Sequence, residues 1–197
     1  MITQTKGQAF DRYTGTLLYT IKIATDTAKL IKRIRSKTLT VGDPQTKSMI
    51  LERLTEYAIL KARCLFDHDT RTVSFENLPK KFNGKHLSKE QWTKYKNSYE
   101  KIKIKHHALI KRLDNNRNAK VAHTQFEEQL GWDAKTAARL NHMFNLFSKN
   151  PIQAVTPENV HITPSDFPHR EYMELMMELQ YLLLSQHLAP IDLDKVN

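Results

Sequence analysis

Apolar residues recur at three- and four-residue steps along most of this chain, and the steps divide it into helices. Between Thr14 and Arg35 the positions Leu17, Ile21, Ala24, Ala28 and Ile31 trace one apolar face. Gly42-Asp43-Pro44 then predicts a turn and a helix start, with Asp43 as N-cap and Pro44 in the first helical position. This second helix is expected to run to about Asp67 with Ile50, Leu54, Tyr57, Ala58 and Leu65 facing the core. Periodicity fails between Asp67 and Leu87, which reads as a connector holding one short helix capped by Ser74 and a turn at Asn83-Gly84.

The clearest helix begins at Ser88. Ser88 and Gln91 stand at capping-box spacing, and Leu87 and Trp92 occupy the two staple positions that fix how the chain enters. Trp92, Tyr95, Tyr99, Ile102, His106, Leu109 and Leu113 then follow an unbroken 3-4-3-4 pattern, which predicts a packing seam with lysines around the rest of the circumference. His106 is the one polar member; it either hydrogen-bonds inside the core, the preferred reading, or reaches a cleft. Asp114-Asn115-Asn116 is expected to interrupt or kink this helix and to cap the next, which places Arg117 in a first turn. A stripe of Val121, Ala122, Phe126 and Leu130 ends at Gly131, and Asp133 caps a helix to Ser148. Residues 151–168 hold four prolines and read as a surface connection. The last helix, from about His169 to Leu188, is apolar around most of its circumference, so it must bury one face on its own bundle and another, in this reading, on a second chain. The expected fold is all-α: an up-and-down bundle of about five to six helices in a single domain over residues 1–197, assembled as a dimer.

Composition agrees with a folded helical chain, since 40% of its 197 residues are apolar and only five are Gly. The single Cys64 excludes an intrachain disulfide and suits a reducing compartment. Met1 to Phe10 has no apolar signal core, and no run approaches the ~18 apolar residues of a membrane span. A soluble cytoplasmic protein without membrane contact is expected. The net charge of +10 is unevenly distributed: residues 80–120 carry thirteen Lys and Arg against Glu90, Glu100 and Asp114, whereas residues 165–197 carry Arg170 and Lys195 against six carboxylates. From charge alone the basic stretch is a solvated helix face. If it works on a ligand, that ligand is a polyanion, with Lys101, Lys105 and Arg112 as contacts.

The segment that follows supplies chemistry. Arg117-Asn118-Ala119-Lys120-Val121-Ala122-His123 sets a permanent cation, a polar amide and a titratable imidazole within seven residues. A guanidinium can clamp phosphate oxygens through its planar fork, and an imidazole with a reference pKa of ~6.5 can move a proton near neutrality. No phosphate-binding glycine loop, dinucleotide fingerprint, zinc-protease motif or nucleophile elbow is present, and neither His106-His107 nor Asp67-His68-Asp69 has metal-ligand spacing. No cofactor and no metal is expected.

Arg117-Asn118 followed by four residues and His123 resembles the Arg-polar-(four residues)-His motif of the HEPN superfamily, helical proteins that include many metal-independent ribonuclease toxins. Upstream, Ala62-Arg63-Cys64-Leu65-Phe66-Asp67 and Thr72-Val73-Ser74-Phe75-Glu76-Asn77-Leu78 are similar to the stretch that precedes this motif in HEPN proteins of the abortive-infection U type. The resemblance covers roughly residues 14–150. It implies an endoribonuclease of a toxin or phage-defence system, acting by attack of the RNA 2′-hydroxyl on the adjacent phosphate to give a 2′,3′-cyclic phosphate. Arg117, His123 and Asn118 would be catalytic, and Asn116 and Lys120, which share a helix face with His123, would hold substrate. On one continuous helix Arg117 and His123 stand ~120° apart around the axis and ~9 Å apart along it, so they do not converge on one phosphate. Either Arg117 lies in a non-helical cap or the pair is completed across a two-fold axis, and the resemblance implies the second, a composite cleft in a homodimer. Gln125 stands where some HEPN toxins carry a tyrosine modified by a partner, so that form of control is not expected, although a partner antitoxin of another kind is compatible. The alternative function is a non-catalytic HEPN-fold module that binds RNA or protein.

Overall fold

The structure, a computed structural model, describes residues 6–82, 86–115 and 162–185. Every regular element among them is helical: α1 (Lys6–Arg35), α2 (Pro44–Cys64), α3 (Asn77–Phe82), α4 (Lys89–Lys105), α5 (residues 107–115) and α6 (His169–Ser185). Helix α1 packs along α2 and α6, and α6 also packs on α4. The expected helices 117–131 and 133–148, the Asn83-Gly84 turn and most of the 151–168 connection lie outside the described residues.

The stripe expected on α1 is buried throughout, from Leu17 to Ile31. The helix starts eight residues before Thr14, because Phe10 and Tyr13 continue the same face and are themselves buried. It stops without a glycine: Lys37 takes a left-handed conformation, φ 59°, and the Leu39 N–H reaches back to the Arg33 carbonyl at 3.1 Å. Gly42, φ 48°, turns the chain into α2 so tightly that a Cβ there would lie 2.8 Å from the Thr46 methyl. Asp43 then caps α2 as expected, its carboxylate accepting from the Gln45 and Thr46 N–H groups at 2.9 and 3.0 Å.

One expected core position of α2 needs correction. Ala58 and Leu65 are fully buried as expected and Ile50 and Leu54 pack partly buried against the core, but Tyr57 is 41% exposed, and Leu51, Thr55, Ile59 and Ala62 complete the buried face. Thr55 turns inward with its hydroxyl bonded to the Leu51 carbonyl at 2.7 Å. Of the 151–168 connection only residues 162–168 are described; there Thr163, Ser165 and Asp166 are exposed, while Ile162 is fully buried and Phe167 packs its ring 5.0 Å from that of Tyr172. They anchor the entry to α6.

The capping box at Ser88 and Gln91 forms, and all seven seam residues from Trp92 to Leu113 are buried. The helix does not break at Asp114, however. It breaks at His106, φ −103° and ψ 18°, and residues 107–115 are helical through Asp114 and Asn115. Across the bundle, Tyr95 donates to the Phe75 carbonyl at 3.0 Å and Tyr172 to the Ala58 carbonyl at 2.7 Å, so these two buried phenols find backbone acceptors.

Candidate nucleic-acid interface

Asn116, Arg117, Asn118, Lys120 and His123 lie outside the described residues. Their immediate approach is described. Asp114, three residues before Arg117, forms a close ion pair with Arg63 of α2; the guanidinium is 14% exposed and the carboxylate 36%. Arg63 belongs to the upstream stretch 62–67. That stretch and the one from Thr72 to Leu78 are knit together by backbone contacts: the Phe75 N–H donates to the Leu65 carbonyl at 2.9 Å, and the Ser74 hydroxyl donates to the Asp67 carbonyl at 2.6 Å. Asn77 is buried and its amide donates to the Asp69 carbonyl at 2.6 Å. Ser74 caps α3 through the Asn77 N–H at 3.3 Å, as the sequence predicts. The side chains of this stretch therefore build and brace a turn that holds Arg63 against α5.

The three basic residues singled out on the 88–113 segment are differently engaged. Lys105 bridges Glu174 and Glu178 of α6 at 2.6 and 2.5 Å. Those hydrogen bonds raise the Lys105 pKa, and Lys105 in turn lowers that of Glu174. The guanidinium of Arg112 lies 3.8 Å from the Asp166 carboxylate. Lys101, by contrast, is exposed and makes no ion pair among the described residues, and the same holds for Lys89 and Lys94. Lys103 is also engaged, with Glu76 and Glu100 both at 2.8 Å; burial pulls its pKa down, but the two carboxylates outweigh it and the net shift is upward.

His106 explains the helix break in part. It is 6% exposed, and its Nε2 lies 3.2 Å from the second oxygen of Glu178. The core reading of His106 thus holds for its burial, while its partner comes from the acidic edge of α6. Glu178 is shared by Lys105 and His106, which ties α4 to α6 at the point where α4 ends.

Between α4 and α6 runs a groove of about 420 Å³, bounded by Lys94, Ser98 and Lys101 on one side and Glu178, Tyr181 and Ser185 on the other. It opens onto a shallower basic surface formed by Lys89, Lys94 and Lys101. Since Lys105 meets Glu174 and Glu178 while Lys94 shares the groove with Ser185, the two helices run antiparallel. Tyr181 stands over this groove with 71% of its surface exposed. The sequence signal for its position is that Glu174, Glu178 and Tyr181 fall at i, i+4 and i+7, on one side of the last helix.

Among the described residues no group of three or more His, Cys, Asp or Glu could hold a metal ion, and no helix is long and apolar enough to cross a membrane. No known family model, curated protein or solved structure matches this chain.

Proposed function

We propose that the chain is a HEPN-like, metal-independent endoribonuclease of a toxin or phage-defence system, acting as a homodimer with Arg117 and His123 in a composite cleft. The observation that supports this reading most is the Arg63–Asp114 ion pair, because it ties the upstream stretch of the resemblance, 62–67, to the helix that leads toward Arg117. The unpaired lysines of α4 add a positive surface on the element that leads toward the motif.

In the proposed reaction the RNA 2′-oxygen forms a bond to the neighbouring phosphorus and the bond from phosphorus to the 5′-oxygen breaks. The 2′-hydroxyl proton goes to a base and the leaving 5′-oxygen takes a proton from an acid. His123 fills one of these roles; Arg117 balances the charge gathering on the phosphoryl oxygens, and Asn118 orients the scissile group.

The test is cleavage of total RNA by the purified chain in the presence of a chelator. Arg117→Ala and His123→Ala are each expected to fold and to lose cleavage, and co-refolding the two is expected to restore a part of it through mixed dimers. Full cleavage by both single variants would remove the activity from this motif. Salt-sensitive retention of RNA without cleavage by the parent chain would favour a binding module instead.

A further inference from the structure

We infer that the groove between α4 and α6 seats a single-stranded segment of RNA, with Lys94 and Lys101 on its phosphates and a base stacked on Tyr181. The inference deepens the ribonuclease reading and rests on it for the choice of RNA. Charge carries the first half of the argument. Each carboxylate that α6 presents near the groove is already engaged, Glu174 by Lys105 and Glu178 by Lys105 and His106. Lys94 and Lys101 make no ion pair among the described residues; Glu178 lines the groove and Glu90 the adjoining surface, so the free positive charge is local to these two ammonium groups. Seven residues separate them on one helix, or roughly 10 Å along its axis, enough to meet more than one phosphate of an extended strand.

Tyr181 carries the second half. An exposed aromatic ring beside two free ammonium groups is the combination that binds unpaired nucleic acid, because every base has a face to stack and every nucleotide a charge to neutralise. A duplex hides its bases from such a ring, and an acidic protein segment has no use for it. The groove is also of the size that small-molecule and nucleotide ligands fill.

Binding should be measured with a labelled 2′-O-methyl oligouridine, which the proposed 2′-hydroxyl attack cannot cut, over a range of salt. Tyr181→Ala is expected to weaken binding roughly 5- to 150-fold with the salt slope unchanged, and Tyr181→Phe to restore it. Lys94→Gln with Lys101→Gln is expected to flatten the slope by about 1.4, two phosphates at about 0.7 each, whereas Arg53→Gln on exposed α2 is not. All five substitutions are at exposed positions, and matched thermal melts confirm that folding is intact. If the parent binds the oligonucleotide and the groove variants bind it equally well, the groove is overturned while the ribonuclease reading stands. Equal competition by a duplex RNA or by polyglutamate would overturn it too, in the second case assigning the surface to an acidic protein. Loss of binding in the variants together with undiminished cleavage of unmodified RNA would keep a groove for RNA but detach it from catalysis, which overturns the link to the cleft.

Discussion

Tyr13 and Tyr172 carry two buried phenols that look alike and should behave differently when the hydroxyl is removed. The Tyr13 hydroxyl accepts from the Ser74 N–H and donates to the Ser74 carbonyl, both at 2.9 Å, 61 positions along the chain. Ser74 is completely buried. Its carbonyl keeps two other donors, the N–H groups of Asn77 and Leu78 at 3.3 and 3.2 Å, but its N–H has no second acceptor in this turn. Tyr13→Phe therefore strands a buried donor, at a cost of about 2–3 kcal/mol once the lost bond is included. The Tyr172 hydroxyl donates at 2.7 Å to the Ala58 carbonyl, which lies inside α2 and keeps its own helical bond. Tyr172→Phe strands nothing and should cost only about 0.5–1.5 kcal/mol. In a chain of this size that corresponds to a fall in Tm of roughly 4–12 °C for Tyr13→Phe and roughly 1–6 °C for Tyr172→Phe. Thermal and urea unfolding followed by far-UV circular dichroism measure both, and hydrogen exchange of the 67–77 connector should quicken in the first variant and not in the second. A Tyr172→Phe loss equal to or larger than that of Tyr13→Phe would refute the reasoning, since both substitutions remove the same atom and only one strands a donor.

Two further outcomes follow from charge and burial. Asp114→Asn is expected to destabilise by about 1–3 kcal/mol, less than the 3–5 typical of a fully buried pair because the carboxylate is one-third exposed; Arg63→Met in the same background should add little, which a urea-unfolding double-mutant cycle will show. Burial raises the phenol pKa of Tyr13, Tyr95, Tyr99 and Tyr172 in the folded chain, so below pH ~10 both states are neutral and stability is complete, while above it the unfolded chain releases protons that the folded chain retains. Stability should fall steeply above pH ~10, with phenolate absorbance from these residues appearing together with the loss of helical signal; phenolate appearing well before unfolding would contradict their burial.

Local signals were legible wherever partner and position are neighbours in sequence. The Asp43 cap, the Ser88 and Gln91 box, the Ser74 cap and the seam from Trp92 to Leu113 all depend on spacings of four residues or fewer, and each forms as written. What failed depends on contacts from elsewhere. Tyr57 fits the apolar pattern of α2 yet stands out of the core, because the packing of α2 on α1 sets which side of the helix is covered. The break at His106 sits where a partner 72 positions away, Glu178, draws the imidazole toward α6. Of the candidate site, the motif residues from Asn116 to His123 were legible as chemistry, while the state of each surrounding lysine depends on acids that only the fold brings near.

That dependence changes what the charge asymmetry of the sequence means. A basic stretch and an acidic stretch in one chain suggest, read separately, a polyanion site and a solvated tail. In the folded chain they meet: Glu174 and Glu178 of α6 take Lys105 at the end of α4, and Asp166, just before α6, approaches Arg112 of α5. Much of the asymmetry is thus a docking signal between two helices. A lysine held by two carboxylates must give up both before it can neutralise a phosphate, whereas an unpaired lysine gives up only water and loosely held counterions. The lysines of the helix left without an ion pair therefore include Lys89, Lys94 and Lys101, ahead of the engaged Lys103 and Lys105, and it is at Lys94 and Lys101, next to the exposed Tyr181 ring, that a polyanion meets the least competition.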